Sequence, residues 1–372
     1  MAGRAVWLAG AAAAGAAVAG VVWAVRDLPA SFGARPTGER AERVRRSPQF
    51  RDGAFRNPVR TSTVLPGEGR GVLREALSGR GARKPAGMIP VLRPRPAPPV
   101  GPDELHVTWY GHASALVEIE GARVLVDPVW SERCSPSRLA GPRRLHPVPI
   151  AVHEVPPVDA IVISHDHYDH LDLPTVRALV ASQVAPFVVP LGVGAHLDRW
   201  AVPAERIIEL DWGEETRVAG ITLTATAARH FSGRTLARDH TLWGSWVIAG
   251  ATRRLFYTGD SGYFDGYAEI GERYGPFDAT LVQIGAYAPA WPEIHMTPEE
   301  AVAAHLDLRG GLLVPVHWAT FVLAFHPWAE PVDRLWREAK ARGVTLAVPR
   351  PGERVDVADP PAVSGWWQAL TP

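Results

Sequence analysis

The chain has 372 residues, enough for one large domain or two ordinary ones, and 47% hydrophobic against 21% charged residues describes a globular protein with a buried core. Lys+Arg and Asp+Glu balance at 39 each, which leaves no global field to attract nucleic acid. The single cysteine, Cys134, excludes an intramolecular disulfide framework and any Cys-rich metal site, so a metal here must be held mainly by His and Asp.

Ala5 to Val25 is an uncharged run rich in Ala and Gly, with Arg4 before it and Arg26 after it. As a helix it would span roughly 31 Å, about one bilayer core. The expectation for residues 1–26 is a membrane anchor, with a secretory signal cleaved after Ala17-Val18-Ala19 as the rival. Arg26, Arg35, Arg40 and Arg43 outnumber Arg4 and favour a cytoplasmic C-terminal domain, although so short an n-region leaves the side open. Residues 27–102 lack sustained periodicity and read as an irregular linker or wrapping segment, with a short helix over Val72–Leu77. Pro90 to Pro102 is Pro-rich and expected to be extended.

From His106 the texture changes, and residues 103–372 read as one hydrolase domain. His106–Tyr110, Ala115–Ile119 and Arg123–Val126 look like successive strands separated by Gly111 and Gly121. Further strands are expected near 160–164, 186–190, 207–211, 221–227, 245–249, 254–258, 279–284, 312–316 and 345–348. Helical patterns fall at 174–182, 297–308 and 331–342, the second opened by Thr297 as N-cap with Pro298 in its first turn. Many strands with few interspersed helices point to two packed sheets with helices outside, an α/β architecture.

The densest chemistry follows the apolar run Ala160-Ile161-Val162-Ile163, where His165, Asp166, His167, Asp169 and His170 fall within six residues. Imidazole and carboxylate together suit zinc and similar borderline divalent ions. Three later residues also stand at strand ends: His230, Asp260 after Gly259, and His317. A lone histidine in such a place is more often hydrogen-bonded than ligating, but the shared position reverses that preference. Converging strand ends would offer His165, His167, Asp169, His170, His230, Asp260 and His317 to one cavity. That is too many ligands for one tetrahedral zinc and suits two ions sharing a carboxylate, a centre that hydrolyses esters or phosphodiesters.

The pattern resembles the metallo-β-lactamase superfamily, with His-x-His-x-Asp-His at 165–170 and His230, Asp260 and His317 downstream. The resemblance implies an αββα sandwich holding two zinc ions. His165, His167 and His230 would bind one and Asp169, His170 and His317 the other, with Asp260 bridging. More of the chain resembles the N-acylphosphatidylethanolamine-hydrolysing phospholipase D branch. The carriers are Phe55-Arg56-Asn57-Pro58, Thr108 to Ala113, Asp127-Pro128, Gly141 to Arg144, Leu242-Trp243-Gly244-Ser245-Trp246, Gly259 to Tyr263 and His317 to Phe321.

That branch implies phosphodiester hydrolysis of a phospholipid at a membrane, with Asp169 and Asp260 central to catalysis. Arg234 is expected on a substrate phosphate, and His112 and His295 as further substrate or supporting contacts. Trp243, Trp246, Trp318 and Phe321 read either as an acyl groove or, more commonly for such residues, as core. A homo-oligomer is compatible with the sequence. The rival readings are a lactonase or soluble phosphodiesterase of the same superfamily, and a metal-stabilised binding scaffold without turnover.

Overall fold

The computed structural model describes residues 27–68, 71–72, 74–75, 80–95 and 98–371. The apolar run Ala5–Val25 and part of the helix expected at Val72–Leu77 lie outside them. Among the described residues no helix is long and apolar enough to cross a membrane.

The first described elements are the helices α1 (Leu28–Ser31) and α2 (Gly38–Arg46) and the hairpin β1 (Phe50–Arg51) and β2 (Ala54–Phe55). The first sheet is then laid down by β3 (Leu105–Gly111), β4 (Ser114–Ile119), β5 (Ala122–Val126), β6 (Ala160–Val162), β7 (Phe187–Pro190) and β8 (Ile207–Leu210). A second sheet follows in β9 (Glu215–Val218), β10 (Ile221–Thr226), β11 (Ser245–Ala249), β12 (Arg254–Tyr257), β13 (Phe277–Gln283), β14 (Gly310–Val316) and β15 (Thr345–Leu346). The chain returns to the first sheet with β16 (Arg354–Asp356). The spatial orders are β16-β3-β4-β5-β6-β7-β8 and β15-β14-β13-β12-β11-β10-β9.

Side chains of a strand point alternately to its two faces, and here each face has its own partner. Val107, Trp109, Val117, Val124, Val126 and Val162 join one core with Leu223, Trp246, Ile248 and Leu281 of the second sheet. Their neighbours Leu116, Leu125, Ile161 and Phe187 face the other way, against Leu173, Val176 and Leu179 of helix α3 (Leu173–Ser182). The short helix α4 (Gly194–Arg199) also packs on the first sheet, at β8. Over the second sheet lie α5 (Gly266–Tyr274), α6 (Pro298–Asp307) and α7 (Glu330–Ala341), contributing Tyr267, Ala301, Val302, Val332 and Leu335. Helix, sheet, sheet, helix is therefore the layer order. Burial on both faces explains why these strands read as near-continuous apolar runs. The capping box expected at Thr297 is present, with Glu300 N–H donating to Thr297 Oγ1 at 3.3 Å and Thr297 N–H to Glu300 Oε2 at 2.8 Å.

Strand direction decides where the chemistry lands. β3 and β5 each run antiparallel to β4, and β6 runs parallel to β5, so all three end at the same edge. In the second sheet β10 and β12 are both antiparallel to β11, and β13 and β14 continue parallel to β12. Six C-terminal strand ends, from β3, β5, β6, β10, β12 and β14, thus carry the loops that meet.

At the opposite edge a glutamate joins the turns of the two sheets. Glu120, in the β4–β5 turn, accepts from Ala251 N, Thr252 N, Thr252 Oγ1 and Arg253 N at 2.6–2.9 Å in the β11–β12 turn. Burial raises its carboxyl, but these donors outweigh that and hold it below the usual carboxylate range. A depressed folded value means the stabilisation is present above the unfolded value and fades as pH falls through the folded one. Glu120→Ala is expected to cost about 1 kcal/mol at pH 7, with the difference from wild type shrinking below about pH 4. Urea unfolding at both pH values reads this directly, and an equal gap at both would remove the carboxylate from the explanation.

Candidate metal centre

The sequence places His165 three residues past β6, and the seven expected ligands do converge. His165 Nε2, His167 Nδ1 and His230 Nε2 form one group, with the His167 nitrogen 2.8 Å from His165 and 3.3 Å from His230. Asp169, His170 and His317 form a second, with Asp169 Oδ2 lying 3.2 Å from His317 Nε2 and 3.5 Å from His170 Nε2. Asp260 stands between them: its Oδ2 is 3.1 Å from His170 Nε2 and His317 Nε2, and 3.9 Å from His165 Nε2 and His230 Nε2.

These separations fit metal ions. Ligand bonds of about 2.0–2.1 Å in a tetrahedron give ligand–ligand edges of about 3.3 Å, and both groups scatter around that value. His170 Nε2 and Asp260 Oδ1 are buried with no hydrogen-bond partner, an expensive arrangement for a site meant to stay empty. The imidazoles are aimed from behind: His170 Nδ1 donates to Asp127 Oδ2 at 2.6 Å and His230 Nδ1 to the Ile294 carbonyl at 2.9 Å, leaving each Nε2 free for the centre. Burial, then neighbouring imidazoles, push His165 well below its ordinary value, so it presents a lone pair. Burial would also lower His170, yet Asp260, Asp169 and Asp127 together raise it well above the usual range. Three carboxylates around one buried imidazole call for a cation.

Local backbone makes the convergence feasible. Gly259, just before Asp260, has φ of 56°, and a Cβ there would meet Ser164 Cβ at 2.7 Å and Gly244 O at 2.9 Å. A residue with a side chain would push the Asp260 and His165 loops apart. Asn57, far away in sequence, brackets His230: its amide donates to the His230 carbonyl at 2.6 Å and accepts from the His230 N–H at 2.9 Å.

The remaining expectations divide. Arg234 does not line the cavity over the centre. Its guanidinium is buried and donates to the carbonyls of Ser31, Asp166 and Leu171 at 2.7–2.8 Å, stacked over Tyr168, so it braces the ligand-bearing loop instead. His112 joins the second group instead: its Nε2 lies 2.9 Å from Asp169 Oδ2 within reach of His170 and His317, and its backbone is tied to Thr320 Oγ1 and His317 N. His295 does line the open cavity, with Nδ1 4.0 Å from Asp260 Oδ2. Trp243 and Trp246 are fully buried and donate to the Ala228 and Ile163 carbonyls, so they are core and not an acyl groove. Trp318 and Phe321 are buried too, Phe321 edge-on to His112.

Asp127 was not assigned a role from the sequence. It is completely buried and accepts from Ser164 N, Ser164 Oγ, His170 Nδ1 and Tyr257 OH. The signal was present, because Asp127 follows a strand just as Asp260 does. Asp166 likewise holds the loop, accepting from Gly233 N, Thr241 Oγ1 and His196 Nε2.

The cavity over this centre is about 280 Å³ and is walled by Val64, Phe231, Trp291, Ile294 and Leu323, with Arg238 at its side. A larger cavity of about 1250 Å³, around Met88, Trp130 and His146, contains none of the seven ligands.

Two sheets with a His/Asp centre at the shared edge define a metal-dependent hydrolase, and comparison agrees. The β-lactamase superfamily domain matches residues 122–318, and the chain belongs to that superfamily. Within it, the N-acyl-phosphatidylethanolamine-hydrolyzing phospholipase D 1 of Caenorhabditis elegans is 36% identical over 251 residues, covering 64% of this chain and 70% of that protein. The uncharacterized Mycobacterium tuberculosis protein Rv0906 is 51% identical over 365 residues, covering 96% of this chain and 98% of its own. The metallo hydrolase Igni18 of Ignicoccus hospitalis shares the fold, with a TM-score of 0.52 at 22% identity over 68% of this chain and 97% of that one.

Proposed function

We propose that the protein is a phospholipase D-type phosphodiester hydrolase that holds two zinc ions and cleaves N-acylphosphatidylethanolamine or a related phospholipid. The observation that carries the reading is the pairing of a seven-ligand centre with an apolar-walled cavity. The similarity to the nematode phospholipase supports it. Bound there, two divalent ions supply a water activated near neutral pH and stabilise charge on a phosphoryl oxygen.

The chain's own groups do the rest. His165, His167 and His230 would hold one ion and Asp169, His170 and His317 the other, with Asp260 placed between the two groups. Asp127 and the Ile294 carbonyl fix the tautomers of His170 and His230. His112 donates to Asp169 and sets the direction of its carboxylate. His295 Nδ1, buried and without a partner, is placed to hydrogen-bond a substrate oxygen beside Asp260. Phe231, Trp291, Ile294 and Leu323 exclude water from one flank and offer an acyl chain an apolar surface. Attachment to a membrane through residues 5–25 is part of the same proposal.

The test is turnover by the zinc-loaded protein on vesicles of N-acylphosphatidylethanolamine in phosphatidylcholine, beside soluble phosphodiesters and lactones. Release of phosphatidate and an N-acylethanolamine is expected, with about two ions per chain. Rapid lactone opening with no vesicle turnover would sink the lipid reading in favour of a soluble-substrate enzyme. A metal content well below two would undo the dinuclear arrangement.

A further inference from the structure

The loop from Ser232 to Asp239 brings Arg238 to the wall of the cavity, and its base is closed. Asp239 N–H donates to the Ser232 carbonyl at 3.1 Å, and Ser232 N–H to Asp239 Oδ1 at 3.2 Å. Gly233 N–H on Asp166 Oδ1 and Tyr168 OH on the Arg234 carbonyl, both 2.7 Å, moor it to the ligand-bearing loop. The tip is therefore a fixed projection beside the metal centre. It carries Leu236, fully exposed, and Arg238, which lines the cavity together with His167, Asp169, Asp260, His295 and His317.

Arg238 is held by contacts other than an ion pair, although the Asp239 carboxylate next to it feels its charge. Its guanidinium carbon lies 5.0 Å from the Phe231 ring centroid, and Nη1 donates to Thr63 Oγ1 at 3.2 Å. Among the described residues it makes no ion pair, and the neighbouring Asp239 carboxylate is engaged with the Ser232 N–H. Most cavity-lining charges are accounted for by the ions they would hold; this cation is left over. A guanidinium offers a planar fork that matches two oxygens of a phosphate, and stacking on an aromatic ring pre-organises it.

We propose that Arg238 is a specificity-determining residue that takes the phosphate of an anionic lipid at the cavity mouth, with Val64 meeting the apolar part of the same molecule. Val64 is 47% exposed and lines the same cavity, so an apolar contact lies in the cavity that Arg238 lines. The assignment rests on the phosphodiesterase reading above and replaces the role expected of Arg234.

The experiment uses the zinc-loaded full chain and a short-chain N-acylphosphatidylethanolamine kept below its micelle concentration. Losing a hydrogen-bonded charge contact is expected to raise KM about tenfold to a hundredfold in Arg238→Gln. kcat should change by less than about threefold, with Arg238→Lys in between. KM within twofold of wild type overturns the proposal. Should wild type not turn over this lipid, the phosphodiesterase reading fails, and calorimetry with dihexanoyl phosphatidate then reads the subsite alone. Binding at least tenfold weaker in Arg238→Gln upholds it, and equal binding removes it. Inorganic phosphate run in parallel separates a lipid headgroup, weakened only as the phosphatidate, from free phosphate, weakened equally.

Discussion

Asp260→Asn is expected to lower kcat/KM more than about a hundredfold, equivalent to at least about 2.7 kcal/mol of transition-state stabilisation. Changing groups that merely orient a ligand costs about 10–100-fold in metal affinity or activity, so removing the carboxylate that stands between both ligand groups should exceed that range. Asp260 Oδ2 is within 4.0 Å of His165, His170, His230, His295 and His317, and no other described carboxylate reaches both ligand groups. The amide keeps the shape but turns one oxygen into an NH2 and removes the negative charge. Metal per chain after desalting should fall below the wild-type value. Wild-type metal content together with turnover within threefold would take Asp260 out of the centre.

The second large effect is expected at Asp127, which would not touch either ion. Asp127→Asn places an amide among donors that now share two carboxylate oxygens: Ser164 N, Ser164 Oγ, His170 Nδ1 and Tyr257 OH. At least one donor loses its acceptor, at about 1–3 kcal/mol in a buried site. His170 is then free to rotate, and affinity for the ion on the Asp169 side should drop about 10–100-fold. Chelator competition on the folded variant measures this separately from stability, which thermal unfolding reports. Unchanged affinity for both ions would show that His170 is oriented by something other than Asp127.

Much of this centre was legible because its residues obey a simple local rule, a polar group just beyond an apolar strand. His165, Asp260 and His317 were found that way. Asp127 obeys the same rule and went unassigned because one Asp after Val126 carries no cluster around it. Arg234 was misjudged for a different reason: sequence shows the charge but not the carbonyls of Ser31 and Leu171, one of them 203 positions away, that surround it. The contact that Asn57 makes was illegible on the same ground, since its partner His230 is 173 positions distant.

Within the fold, two missed elements carry residues that disguise them. β9 is Glu-Thr-Arg-Val at a sheet edge, where polar residues guard against further pairing. Helix α5 contains Gly271, a poor helix former, at the point where a Cβ would meet the Asp307 carbonyl at 2.1 Å. Close approach of α5 to α6 explains the residue that hid the helix.

The two sheets contribute unequally but jointly to the centre. His165, His167, Asp169 and His170 leave the first sheet at β6, while His230, Asp260 and His317 leave the second at β10, β12 and β14. Ions bound there would act as rivets through a seam, opposite the Glu120 clamp that fastens the other edge. Loading with metal and holding the layers together become one equilibrium. A hundredfold excess of ion over its dissociation constant adds about 2.7 kcal/mol to folding. Metal scarcity would loosen the scaffold along the seam where substrate enters, so a starved enzyme loses shape and activity together.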